Sequence, residues 1–163
     1  MLIHFFTLAM TAPARQSAFR RSAIAHLLFL AASIGIVLAR PTPQVLQMLG
    51  YGLLGAGIVQ GAVLFGWRLT QLPKSQALEF LLVSPLRPRR VFLNEALVGL
   101  ARFLLIQLSG IPVFFPLVAA GILQPLDLWL LIVMPIIWGL VAGMTLTVWA
   151  YETRLMRRIG QAA

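Results

Sequence analysis

The chain has 163 residues, 60% of them hydrophobic and 10% charged, with 13 Lys and Arg against 4 Asp and Glu. Soluble domains carry about 25% charged residues, so this composition excludes an ordinary water-exposed globule and points to lipid. The net charge of +9 sits between apolar runs rather than along a polar face, which favours topology signals and lipid headgroups over nucleic acid.

Met1 to Met10 is apolar with no basic residue ahead of it. It reads as an interfacial segment leading through Arg15, Arg20 and Arg21 into the first span, in preference to a signal peptide. Four apolar runs come next, at about 22–39, 45–67, 103–123 and 128–150. At 1.5 Å per residue each approaches the ~30 Å of a bilayer core, and only a helix satisfies its own backbone there. The expected fold is therefore all-α: a polytopic membrane protein of four transmembrane helices, one transmembrane domain over 1–163. Trp67, Trp129, Trp149 and Tyr151 fall at span ends, where amphipathic rings settle.

Twelve of the thirteen cations lie before the first span, between the second and third, or after the fourth; Arg40 alone lies elsewhere. The positive-inside rule places the twelve, and both termini, in the cytoplasm, and the chain in the cytoplasmic (inner) membrane. The two outer loops are short: Arg40-Pro41-Thr42-Pro43-Gln44, and Gln124-Pro125-Leu126-Asp127 with the only outward acid. Neither can form a receptor module.

The inner loop, about 68–102, is the substantial polar stretch. Pro73 to Ser84 reads as a short amphipathic helix, with Pro73 in its first turn and Pro85 ending it. Ala77, Leu78, Leu81, Leu82 and Pro85 share one face, suited to a membrane surface or a groove on a partner. A basic turn, Leu86-Arg87-Pro88-Arg89-Arg90, precedes a second helical stretch, Val91 to Leu97. Its arginines fit an acidic partner surface and anionic lipid equally.

Glu79-Phe80-Leu81-Leu82-Val83-Ser84-Pro85, the basic turn and the apolar helix after it resemble the cytoplasmic loop of ABC-2 type transporter permeases. That family shows Glu-x-Leu-Leu-x-Ser/Thr-Pro between its second and third spans, and the haem-exporter permeases share a similar loop. The resemblance covers the first four of the family's usual six spans. It implies a membrane-spanning subunit of an ATP-driven exporter, paired with a second permease copy or a companion permease. It also implies a coupling helix docked on a separate ABC-type ATPase through Ala77, Leu78, Glu79, Leu81, Leu82, Ser84, Pro85, Arg87, Arg89 and Arg90. The alternatives are a small four-helix secondary transporter or channel, which requires ionisable groups inside the membrane, and a non-transporting scaffold subunit.

Polar groups within the spans are few. Gly57, Gln60 and Gly61, with Gly139 and Gly143, give two Gly-x-x-x-Gly spacings suited to close helix packing, within the chain or between chains. Gln60 and Gln107 could instead line a substrate path. Pro112, Pro116 and Pro135 should kink the third and fourth spans. Glu95 and Arg102, seven residues apart, read as interfacial groups too distant for a direct ion pair. His26 reads as a packed or interfacial histidine rather than a proton relay. The four acids, Glu79, Glu95, Asp127 and Glu152, are scattered, and His4 and His26 lack acidic neighbours. The reading is accordingly no enzyme, no metal and no cofactor: with no Walker-type loop, any ATP hydrolysis belongs to a partner chain. Cysteine is absent, which removes thiolate chemistry.

Overall fold

A computed structural model of the chain describes residues 13–66, 69 and 88–162. Five α-helices occupy them: α1 Pro13–Ala39, α2 Pro43–Gln60, α3 Pro88–Leu108, α4 Gly110–Ala119 and α5 Pro125–Ala162, with a π-helical segment Gly61–Gly66 continuing α2. Four stretches are long and apolar enough to cross a membrane: Phe19–Ala39, Pro43–Gly66, Phe92–Ala119 and Pro125–Trp149. The third is α3 and α4 together.

Local chemistry sets the helix ends. Thr42 caps α2 by accepting from the Val45 N–H, and Pro43 occupies the first turn, where its missing N–H costs nothing. The Gln124 N–H donates to the Asp127 carboxylate at 3.1 Å, so the acid lies in the first turn of α5 and reaches back to the residue that precedes the helix. α4 ends in a Schellman turn: Ile122 N–H bonds the Leu117 carbonyl and Gly121 N–H the Val118 carbonyl. Gly121 takes φ +71° there, a conformation that glycine adopts without the Cβ penalty.

The helices alternate in direction. α2 and α5 run parallel, as shown by Gly57 against Pro135, Gly61 against Gly139 and Gly66 against Gly143. α1 and α3 run the other way, with Gly52 against Phe29 and Gly99 against Leu64. One end of the bundle thus collects the start of α1, the start of α3 and the C-terminal half of α5, which carry Arg15, Arg20, Arg21, Arg89, Arg90, Arg102, Arg154, Arg157 and Arg158. Arg40 and Asp127 lie at the other end.

The outer surface is apolar. Leu28, Met48 and Trp129 are 66%, 72% and 68% exposed, while His26, Glu95, Arg102 and Gln107 are buried. Water would favour the reverse arrangement; lipid favours this one. Inside, one apolar cluster of Leu30, Val37, Leu49, Leu53, Phe114, Leu117 and Leu123 fills the Arg40 end. A second, of Leu64, Phe103 and Ile106 with Phe19 and Ala23 beside it, lies toward the basic end.

The helices extend beyond the apolar runs. α1 begins at Pro13, so Arg15, Arg20 and Arg21 stand on the same helix as the first apolar run. The third apolar stretch starts at Phe92, and along it Glu95 and Arg102 turn into the protein while Leu93, Leu97 and Leu105 face out. α5 continues to Ala162, carrying the basic tail on the same helix as the span. Residues 1–12 and the predicted loop helix at 73–84 lie outside the described residues.

The third span also breaks earlier than its prolines suggest. α3 stops at Leu108 and α4 starts at Gly110. Pro112 has no N–H to return to the Leu108 carbonyl four residues back, and its ring crowds that carbonyl. The break falls at Ser109, whose N–H is shared between the Leu105 and Ile106 carbonyls and whose hydroxyl donates to Ile106 at 2.6 Å.

Candidate functional site

Three polar side chains meet between the two apolar clusters. Gln107 Nε2 donates to Gln60 Oε1 at 2.8 Å, and Gln60 Nε2 lies 3.1 Å from His26 Nδ1. They come from α3, α2 and α1, so one hydrogen-bonded chain ties together three spans. His26 and Gln107 are 2% and 4% exposed. His26 lies seven residues past Phe19, about 10 Å further along α1 from the basic end.

The chain has a direction. Gln60 Oε1 is held by Gln107, which leaves the Gln60 amide nitrogen facing His26. An amide nitrogen only donates, so Nδ1 accepts and the neutral ring carries its proton on Nε2. Among the described residues no buried side-chain nitrogen or oxygen lacks a hydrogen-bond partner. In lipid that matters more than in water, because an unmet polar group has no solvent to turn to.

The backbone of α2 changes geometry beside this chain. Gly61, immediately after Gln60, opens the π-helical segment and packs on the backbone of Gly139. A Cβ at Gly57 would meet Pro135 at 2.5 Å, one at Gly66 the Gly143 carbonyl at 2.6 Å, and one at Gly143 the Phe65 ring at 2.7 Å. The four glycines singled out from the sequence, Gly57, Gly61, Gly139 and Gly143, therefore form one seam between α2 and α5 within a single chain. The π-helical segment carries Leu64 and Phe65, which are both buried.

Nearer the basic end, Arg102 lies over the Phe19 ring, 5.7 Å from its centroid. Arg102 and Glu95 are 2% and 5% exposed, so both are enclosed by the protein. A desolvated guanidinium on an aromatic face gains about 2 kcal/mol or more. Ser33 and Thr147 donate to the carbonyls four residues back, Phe29 and Gly143, and so satisfy themselves within their helices.

The residues of the predicted loop fall largely outside the described part of the chain. Arg89 and Arg90 fall in the first turn of α3, and Ala77 to Arg87 lie outside the described residues. Gln60 and Gln107 are bonded to each other rather than lining an open passage. Two outward grooves instead flank the α2–α5 seam. One of about 510 Å³ includes Gln47, Tyr51 and Asp127 on its polar rim, and one of about 450 Å³ lies between Trp138 and Trp149. No group of three His, Asp or Glu suited to a metal ion occurs among the described residues.

The involvement of His26 was hidden from the sequence. Its partner Gln60 is 34 residues away, and Gln60's other partner Gln107 a further 47; no spacing rule links residues on different helices. The only available signal was that all three are polar residues inside apolar runs.

The fold and this interior define a helical, multi-pass membrane protein with a polar chain at its centre. No protein family, curated protein or solved structure matches the chain.

Proposed function

We propose that this chain is a membrane-spanning permease subunit of an ATP-driven exporter of the ABC-2 type, coupled through residues 73–90 to a separate ATPase. The observation that carries the reading is the motif Glu79 to Pro85 with the basic turn after it, placed directly before α3. α3 runs unbroken from Pro88 to Leu108, about 30 Å. A push on the loop therefore reaches Arg102, Phe103 and Gln107 along one rigid rod, and Gln107 hands it to α2 and α1 through the hydrogen-bonded chain. A second permease copy, or a companion permease, completes the path, in the cytoplasmic membrane with both termini inside. ATP hydrolysis belongs to the partner; this chain supplies no catalytic group.

The experiment is purification of the full chain from native membranes in mild detergent. An ABC-type ATPase is expected to accompany it, and Glu79→Ala with Leu82→Asp is expected to release that ATPase while the four-span bundle stays folded. Absence of an ATPase, or its retention by the double variant, overturns the reading.

One observation favours a second reading. A four-helix secondary transporter or channel needs ionisable groups within the membrane, and His26, Glu95 and Arg102 are enclosed by the bundle. Solute flux by the purified chain alone in proteoliposomes, driven by a proton gradient without ATP, would select it.

A further inference from the structure

We propose that His26 is a proton-binding site inside the membrane, and that Gln60 and Gln107 accommodate both of its protonation states by reversing the direction of their hydrogen-bonded chain. The proposal needs only the four-span bundle and stands whether or not an ATPase docks.

In the observed state the chain runs from Gln107 Nε2 to Gln60 Oε1 and from Gln60 Nε2 to His26 Nδ1. A proton arriving as hydronium forms an N–H bond with the Nδ1 lone pair and leaves water behind. No electrons are exchanged. Nδ1–H then faces the Gln60 N–H, donor against donor. Rotation of the Gln60 amide by half a turn presents Oε1 to the ring and Nε2 to Gln107. Gln107 must then rotate as well, to offer Oε1 in place of Nε2. The new chain runs from His26 to Gln60 to Gln107 and is again complete, with its first link now charge-assisted and about twice as strong as a neutral one.

An intermediate arrangement leaves two donors or two acceptors in contact, so the three groups switch together. They belong to α1, α2 and α3 and sit where α2 passes into its π-helical segment, so the proton is registered by three spans at once. A histidine packed alone among aliphatic side chains would have no such second state.

The other charged groups around this interface are few. On α1 itself Arg20 and Arg21 are exposed at the basic end. From α3, Glu95 and Arg102 face the interior, with Arg102 over Phe19, two helical turns from His26; their opposite signs act against each other at the ring. Between Pro43 and Gly66 the only titratable side chain is Tyr51, which is exposed toward the far end, and α4 and the stretch 128–149 of α5 contribute none.

The test is nitrogen-15 NMR of the full chain in lipid nanodiscs, with labelled histidine and glutamine, and with His4→Gln removing the one other imidazole. At the alkaline end of a pH series the His26 ring is expected as the Nε2–H tautomer, and at the acid end it should become imidazolium. The Gln60 and Gln107 side-chain amides should shift with the same midpoint as the ring. Gln60→Met, which keeps the volume but cannot relay, should cut the Gln107 response at least about fivefold. A ring that stays neutral throughout, an Nδ1–H tautomer at high pH, glutamines that do not track the ring, or an undiminished Gln107 response in Gln60→Met each overturns the proposal. If Gln60→Met does not fold, the covariation in the parent chain decides.

Discussion

Replacing Gly61 by alanine tests the α2–α5 seam at its tightest point. The added methyl would fall within the backbone of Gly139, nearest its carbonyl oxygen. No rotamer can move a backbone, so the helices must part. Parting them also loosens Gly57 against Pro135 and Gly66 against Gly143, now in contact. Overpacking of this kind costs about 1–3 kcal/mol and sometimes more. Alanine's better helix propensity returns about 1 kcal/mol, so with backbone overlap at the top of that range a net loss of about 2 kcal/mol is expected. Gly55 is the control: a Cβ there meets nothing within 4 Å, and Gly55→Ala should be neutral or gain up to about 1 kcal/mol. Gly52 lies between, since its methyl would meet the tip of the Phe29 ring at 2.8 Å, and a ring can swing aside. Unfolding in mixed micelles with increasing dodecyl sulfate, monitored by tryptophan fluorescence, measures all three. The expected order of stability is Gly55→Ala, then Gly52→Ala, then Gly61→Ala, with at least ~30-fold in the unfolding constant between first and last. Equal stability of Gly61→Ala and Gly55→Ala would refute the seam.

In the same assay Gln60→Met should cost about 1–2 kcal/mol and exceed Gln107→Met, because the middle residue strands two buried partners and the end residue only one; the reverse order would place the chain's centre elsewhere. Pro112→Ala restores an N–H for the Leu108 carbonyl and should let α3 run into α4. Spin labels at the exposed positions Leu97 and Phe115 should then separate toward the roughly 27 Å of straight helix, and an unchanged distance would show that Pro112 does not cause the break.

Much of the fold was legible because lipid enforces simple rules. Four apolar runs of span length had to be helices, and the cations had to gather at one end of an alternating bundle. The helix ends were not legible: Thr42-Pro43 and Gln124 to Asp127 read as loops from the sequence, and the third apolar run extends to 123, past the stop at Gly121. Nor was it legible which way the polar side chains at the start of α3 face. Charge counting treats Glu95 and Arg102 as loop residues, whereas α3 tucks both inside and turns Leu93, Leu97 and Leu105 to the surface.

By itself the sequence determined that this chain lives in a membrane, which segments cross it, and where glycine would let helices approach. Those conclusions rest on hydropathy, length and local backbone chemistry, each readable within one stretch of chain. Tertiary structure alone decided that Gly57 and Gly61 find Gly139 and Gly143 of the same chain, and that His26, Gln60 and Gln107 form one directed chain of hydrogen bonds. Such pairings depend on how helices rotate and cross, which packing fixes over distances that no local pattern spans. The protein's interior chemistry therefore belongs to the bundle, while its residence in lipid belongs to the sequence.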